Sequence, residues 1–472
     1  MNNLNAKEDK FNSKILACTV VMTFMVCLDS SIVNVALPLI SRDLEVSMAE
    51  VTWIVNSYLL TISVLVLFCG RIGDIKGKFK VFKIGVTIFI IGSICSGLSK
   101  ELTLLIVSRV IQGIGASCTM AVSMGIITSI YKEGKGRGRA LGISGGAVAL
   151  GTMIGPSIGG VLASIRWDLI FWINVPIGII NLIVVNKVFK EDEKSTGEKI
   201  DIRGTIAFGV FIVSLTLAVT KGEFIGYKNK FIVMLFILSI IGFIVFIYLQ
   251  KKVKSPILDL KLFENGLFKT SIISNFLTFI GLSSVTIILP FYLQDVLKMD
   301  SLEAGFFLMI YPLILGVTSP ISGKLSDKFN PFIITNIGLS FLTVGLFLLG
   351  TVKIDTPLYL VGLYSGIIGF GNGLFKSPNN GLVMKDIKPS ELGIAGSINS
   401  LLRNVGMVFG ITISTTLLYD RMSAMLGYRV SSYVNGRNDV FIKAMDIVFL
   451  TTGLVCFISV IVSFIRYKKY SK

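Results

Sequence analysis

The sequence predicts an all-α polytopic membrane protein with fourteen transmembrane helices. Apolar runs recur from one end to the other, each long enough to cross ~30 Å of hydrocarbon. Charged residues fill only 15% of the 472 positions, where soluble domains average about a quarter. The pattern also repeats at half-chain distance. A membrane barrel would show short alternating strands instead.

The runs lie near residues 15–40, 51–69, 84–99, 102–130, 140–164, 169–187, 204–220, 231–249, 270–293, 304–322, 332–351, 357–375, 392–418 and 444–465. The first is too long for a signal-peptide core and lacks a cleavage site, so it reads as a span after a polar tail (1–14). An even number of spans puts both termini on one side. With the termini inside, inner segments hold 31 Lys and Arg and outer ones 12, which makes both termini cytoplasmic. Loop placement of the cations explains the net charge of +17 without nucleic acid. Two cations, Arg109 and Arg403, fall inside spans.

The chain contains no His, the commonest general base and metal ligand. Its six Cys (18, 27, 69, 95, 118, 456) all lie in apolar runs and read as small buried hydrophobes. No nucleophile–base set and no GxxxxGK[ST] phosphate loop occurs, so neither an enzyme nor an ATP-driven pump is expected, and no cofactor or metal.

Three features recur at nearly one spacing. ALP (36–38) followed by Asp43 returns as ILP (288–290) followed by Asp295, 252 residues on. GRIGDIKGK (70–78) returns as GKLSDKFNP (323–331) at 253. Gly142, Gly145, Gly155 and Gly159 return as Gly393, Gly396, Gly406 and Gly410 at 251. The expected organisation is a six-helix bundle (15–190), a two-helix insert (201–250), a second bundle (268–466) and a short tail (467–472). The offset spans eight helices, so the halves are parallel repeats, a transporter arrangement with the site between them.

Five stretches in order then resemble the major facilitator superfamily, and within it the fourteen-span drug:proton antiporters of the QacA/EmrB type. LDSSIVNVALP (28–38) resembles that family's first-span motif, and GRIGDIKGK (70–78) the loop motif between spans 2 and 3. SRVIQGIGAS (108–117) resembles the fourth-span Arg motif, GTMIGPSIGG (151–160) the antiporter motif and FWINVPIG (171–178) a sixth-span signature. The loop motif departs from the family at Ile75 and Phe79, where basic residues are usual; Lys76, Lys78 and Lys80 stand nearby. The resemblance implies a major facilitator fold and proton-coupled export.

Asp29 is the one acidic residue near the middle of a span. A charge at that depth costs about 2.5–3.5 kcal/mol even on lenient scales, so it must face a partner or a cavity. Burial favours the neutral carboxyl and a nearby cation the ionised one, opposed influences that suit a proton carrier. The resemblance assigns Arg109 to proton coupling, and an Asp29–Arg109 contact is expected; a purely structural ion pair is the alternative. Asn34, Gln112, Asn174 and Arg403 are candidates for the substrate path, with interhelical hydrogen bonds or a structural role as the alternative.

Gly151, Gly155 and Gly159 place three bare patches on one helical face, with Pro156 and Gly160 beside them. Small residues let another helix approach closely, and Pro156 bends the helix. By analogy with the superfamily the partner is span 10, in a sealed contact between the halves; an ordinary close-packed helix pair is the alternative. Gly70, Asp74, Gly77, Lys78 and Asp327 form the expected cytoplasmic gate, with Asp74 meeting the helix start at PSEL (389–392), capped by Ser390. A plain turn with a solvated acid is the alternative.

The expected function is proton-coupled export of hydrophobic or amphipathic compounds (multidrug efflux). A transporter of one metabolite or one antibiotic class is the alternative. The expected partners are the bilayer, protons and a small molecule, with a monomeric chain in a bacterial cell membrane. A lone deep carboxylate suits lipophilic cations, yet Arg109 and Arg403 offset it, so neutral or zwitterionic substrates stay open.

Overall fold

A computed structural model describes residues 2–131, 137–189, 201–253, 256–258, 260–387 and 392–471. These form helices joined by short connections, with no strand among the described residues. The first half holds α1 (Asn2–Asp43), a short α2 (Met48–Val51) leading into α3 (Trp53–Lys76), α4 (Lys78–Leu98), α5 (Leu102–Ile130) and α6 (Arg137–Ile165). Its sixth span is broken into α7 (Leu169–Trp172) and α8 (Asn174–Val188). The insert is α9 (Ile202–Ile225) and α10 (Lys230–Lys252). The second half begins with α11 (Gly266–Phe291) and an interrupted span, α12 (Ser301–Leu308) with α13 (Ile310–Lys328). It continues with α14 (Pro331–Leu349), α15 (Leu358–Met384), α16 (Leu392–Leu426) and α17 (Asn438–Tyr470). Fourteen of the spans so formed are long and apolar enough to cross a membrane.

Local chemistry starts and stops these helices. Ser47 and Glu50 form a reciprocal capping box at α2. Asp201, Asn229, Asn265, Asp300 and Asn330 each accept a backbone N–H at a helix start. Between α3 and α4 the chain turns at Gly77, whose φ of 101° disfavours any residue with a Cβ.

The internal repeat is visible in the packing. A Cβ on Gly92 of α4 would lie 2.5 Å from the Gln112 nitrogen, and one on Gly85 would lie 2.9 Å from the Gly115 oxygen. At offset 253, Gly338 and Gly345 of α14 meet α15 in the same way, 2.6 Å from the Phe375 nitrogen and 2.5 Å from Ile368. Bare backbone replaces the missing hydrophobic drive between helices in lipid.

Helices of opposite halves meet at α6 with α12 and α13, at α3 with α16, and at α1 with α11 and α12. The side remote from the termini, called here the far side, is shut. Arg42 at the end of α1 donates to the Gln294 carbonyl at 3.1 Å and pairs with the Asp295 carboxylate. Gln294 donates back to the Val35 carbonyl at 2.8 Å. On the terminal side, Gly142, Gly145 and Gly146 of α6 and Gly381 of α15 have no neighbour among the described residues within 4 Å of where a Cβ would stand.

Several helix boundaries differ from the sequence expectation. α15 runs eight residues past Lys376 and α17 four past Arg466, so both cations lie inside helices rather than in terminal-side loops. The far-side loop expected over 419–443 shrinks to 427–437, because α16 continues to Leu426 and α17 starts at Asn438. The polar stretch before the first span is itself helical from Asn2.

Candidate functional site

The first half encloses a polar cluster with no solvent access. Asp29, Arg109, Gln112 and Asn174 are all 0% exposed. The Arg109 Nη1 donates to the Asp29 Oδ2 at 2.5 Å and to the Gln112 Oε1. Gln112 and Asn174 each donate an amide N–H to the Asp29 Oδ1, at 2.8 and 2.9 Å, and Gln112 also donates to Ser93 at 3.0 Å. The Arg109 Nε donates to the Ile54 carbonyl at 3.2 Å, and its guanidinium stacks 4.0 Å from the centre of the Tyr58 ring. Five helices, α1, α3, α4, α5 and α8, therefore contribute to one carboxylate's surroundings. Removing one partner of such a buried pair costs about 3–5 kcal/mol, because the other charge is left uncompensated. The Arg109 Nη2, the Asn174 Oδ1 and the Tyr58 hydroxyl find no hydrogen-bond partner.

This cluster does not open onto the space between the halves. The central cavity, about 170 Å³, is lined by Ser30, Ser31 and Asn34 of α1 but not by Asp29, which faces inward on the same helix. Gln112 and Asn174, expected along the substrate path, instead hold Asp29. Asn34 does line the cavity. Arg403 makes no hydrogen bond with Asp29, whose partners are Arg109, Gln112 and Asn174. It lies instead near Cys27 and Lys376. Lys376 itself lines the cavity and was missed because it ends the apolar run that announces its span.

α11 and α12 add Phe279, Leu282, Leu289 and Phe307, with the hydroxyl residues Ser283 and Thr286 of α11 among them. Ser365, Asn372 and Lys376 of α15 line the same cavity. Arg466 forms a second buried cluster away from the cavity. Its guanidinium donates to Ser271, Asn379, Thr335 and Ser463 at 2.7–2.9 Å, all neutral partners.

The glycine motif packs differently from expectation. A Cβ at Gly151, Gly155 or Gly159 would strike α1: 2.7 Å from the Phe24 oxygen, 1.8 Å from the Ser31 Oγ and 2.7 Å from the Ile32 oxygen. That stripe thus seats α6 on α1 within one half, and α1, not span 10, is its partner. The adjoining face, about 100° further round, carries the contact between halves. There a Cβ on Gly160 would lie 2.5 Å from the Ser301 oxygen, and one on Gly305 would lie 2.6 Å from the Pro156 oxygen. The Ser31 Oγ also donates to the Gly151 carbonyl at 3.2 Å.

At the loop motif, Asp74 is half-exposed and lies 3.4 Å from the Lys78 Nζ. Gly73 fits against Val122, and Gly70 faces Ala121. Asp327 is exposed. The expected meeting of Asp74 with residues 389–391, including Ser390, lies outside the described residues.

The family model described as Major Facilitator Superfamily matches residues 19–411. The chain is 33% identical to the riboflavin transporter RibZ of Clostridioides difficile (strain 630), over 92% of this chain and 94% of that protein. It is 31% identical to the multidrug transporter protein MdtP of Bacillus subtilis (strain 168), covering 91% of this chain and 80% of the relative. A bacterial homologue of the human lysosomal transporter Spinster, solved in an inward-facing and unoccupied conformation, shares the fold. It superposes with a TM-score of 0.65 at 15% identity, over 98% of both chains.

Proposed function

Because the chain belongs to the Major Facilitator Superfamily, we propose that it is a proton-coupled exporter of hydrophobic or amphipathic compounds, with both termini in the cytoplasm. It is a multi-pass membrane transporter of small molecules, not an enzyme; the coupling ion and the direction are the proposal. The observation that carries it is the sealed Asp29–Arg109 cluster, an ionisable pair inside one bundle with an orphaned Arg109 N–H.

A chain of contacts from Asp29 to the cavity supports this reading. Protonating Asp29 removes the charge that Arg109 compensates, and Arg109 keeps Gln112, the Ile54 carbonyl and the Tyr58 ring. The change falls on α1, whose next face lines the cavity through Ser30 and Asn34. α1 is keyed to α6 at Ser31 and Gly155, and α6 meets the other half at Gly160 and Gly305. Carboxylate, cavity and interface thus share two helices, a physical basis for coupling. Each proton moving inward supplies about 2.3 kcal/mol per 100 mV. Gly70, Asp74, Gly77, Lys78 and Asp327 are assigned to the terminal-side gate, where the half-exposed Asp74 suits a gate that is undone.

Efflux from reconstituted vesicles tests this. With an imposed proton gradient, wild-type protein moves a lipophilic dye and alkalinises the opposite compartment, while Asp29→Asn does neither. Undiminished gradient-driven movement by Asp29→Asn would end the proposal. A second reading, transport of one metabolite, is favoured by the similarity to a riboflavin transporter. Movement of riboflavin but no lipophilic dye, with its direction taken from inverted vesicles, would select it.

A further inference from the structure

The central cavity carries charge of one sign only. Lys376 lines it, and Arg403 stands one turn from the cavity-lining Met407 on α16. The groups that act electrostatically on Lys376 are Arg403 and the Cys27 thiol, with no carboxylate among them. Arg403 in turn feels Cys27. Neither cation has a hydrogen bond or an ion pair among the described residues, although each is largely withdrawn from solvent. The buried carboxylate of Asp29 is already held by Arg109, Gln112 and Asn174.

Two cations in a low-dielectric site repel one another and lack compensation, an arrangement kept in membranes where a ligand completes it. The same wall extends along α15. Ser365 and Asn372 lie on the face of Lys376, at spacings of eleven and four residues from it, and are 3% and 2% exposed. The Ser365 Oγ and the Asn372 Oδ1 have no partner, while the Asn372 amide donates to the Tyr311 hydroxyl at 2.7 Å. Phe279, Leu282, Leu289 and Phe307 also line the cavity, with the hydroxyls of Ser283 and Thr286 among them on α11. The site thus combines apolar side chains with hydroxyls, amides and a cation.

Resting on the export reading, we infer that the substrate is an organic anion: its acidic group sits between Lys376 and Arg403 and its flat or apolar body lies against Phe279 and Phe307. Such a group supplies the counter-charge that the protein lacks, and its polar edge meets Ser365 and Asn372. Lys376 lies about 12 Å from the terminal-side end of α15.

The test is dye binding by the full-length protein in phosphatidylcholine nanodiscs, read by fluorescence anisotropy. Fluorescein and rhodamine 123 share a xanthene body and differ in charge. Fluorescein should bind at least about tenfold more tightly, and Lys376→Gln or Arg403→Gln should each remove about that factor, the scale of one lost charged hydrogen bond. Lys376→Arg should keep most of it, which separates lost charge from lost folding. Equal binding of the two dyes, including none of either, overturns the inference, as does unchanged fluorescein affinity in both Gln variants. Replacing half the lipid with phosphatidylglycerol identifies the carrier of the acidic group. Competition marks a lipid head group and its lack marks a soluble anion; both keep the anion site. No gradient is involved, so failed proton coupling leaves this result unchanged, and failure here leaves export of uncharged compounds standing.

Discussion

The two halves share a packing plan but not a chemistry. Both seat their fifth helix on their first through glycines: Gly155 and Gly159 against α1, Gly406 and Gly410 against α11. Yet at offset 252 the buried carboxylate of Asp29 falls on Gly281, where a Cβ would already strike the Cys456 sulfur at 2.3 Å. The first half hides a paired acid and base away from the cavity. The second turns an unpaired Lys376 toward it and holds Arg466 with neutral groups alone. Close backbone contact is needed in both bundles, whereas these buried charges are not duplicated between them.

That contrast can be broken most forcefully at the two buried arginines. Arg109→Met strands the Asp29 carboxylate and should cost about 3–5 kcal/mol, with part recovered by adding Asp29→Asn. Arg466→Met strands only hydroxyls and an amide, so its loss should be smaller, about 1–3 kcal/mol. Thermal unfolding in detergent would read both, and equal losses would erase the distinction.

Next comes the glycine stripe. Gly155→Leu must displace Ser31 and should destabilise by about 1–3 kcal/mol or more, with Ser31→Gly restoring part. Gly142→Leu meets nothing and should stay within about 0.5 kcal/mol. Similar unfolding temperatures for the two would show that the stripe is not a seat.

A smaller effect is expected at the far-side seal. Arg42 is half-exposed, so its pair with Asp295 is screened and worth about 0.2–1 kcal/mol. Arg42→Gln should raise labelling of Asn34→Cys by an impermeant maleimide from the far side by a few-fold. Smallest of all, Lys78→Gln removes an i,i+4 pair worth about 0.3–0.5 kcal/mol. It should alter export rate while leaving the unfolding temperature nearly unchanged.

The spans were legible because membrane-crossing helices declare themselves by length and hydropathy, and the repeat by its glycines and turn motifs. Asp29 and Arg109 were legible because depth alone makes a charge conspicuous. Lys376 and Arg466 were not, since each closes the apolar window that reveals its own helix. The helix continues past the charge, and only packing shows that. Spacing identified the glycine face but not its partner, because periodicity gives direction on one helix and nothing about which neighbour stands there. Gln112 and Asn174 were recognised as polar within spans, yet only three-dimensional geometry turns them toward Asp29 rather than the cavity.

α9 touches one helix from each half, α3 and α16, and Gly209 brings its backbone close to Val64 of α3. When two bodies pivot against each other, a strut resting on both cannot ride with both. Any pivot of the two halves would make one of these contacts slide, so the inserted hairpin would act as a bearing along the outer wall rather than a third rigid block.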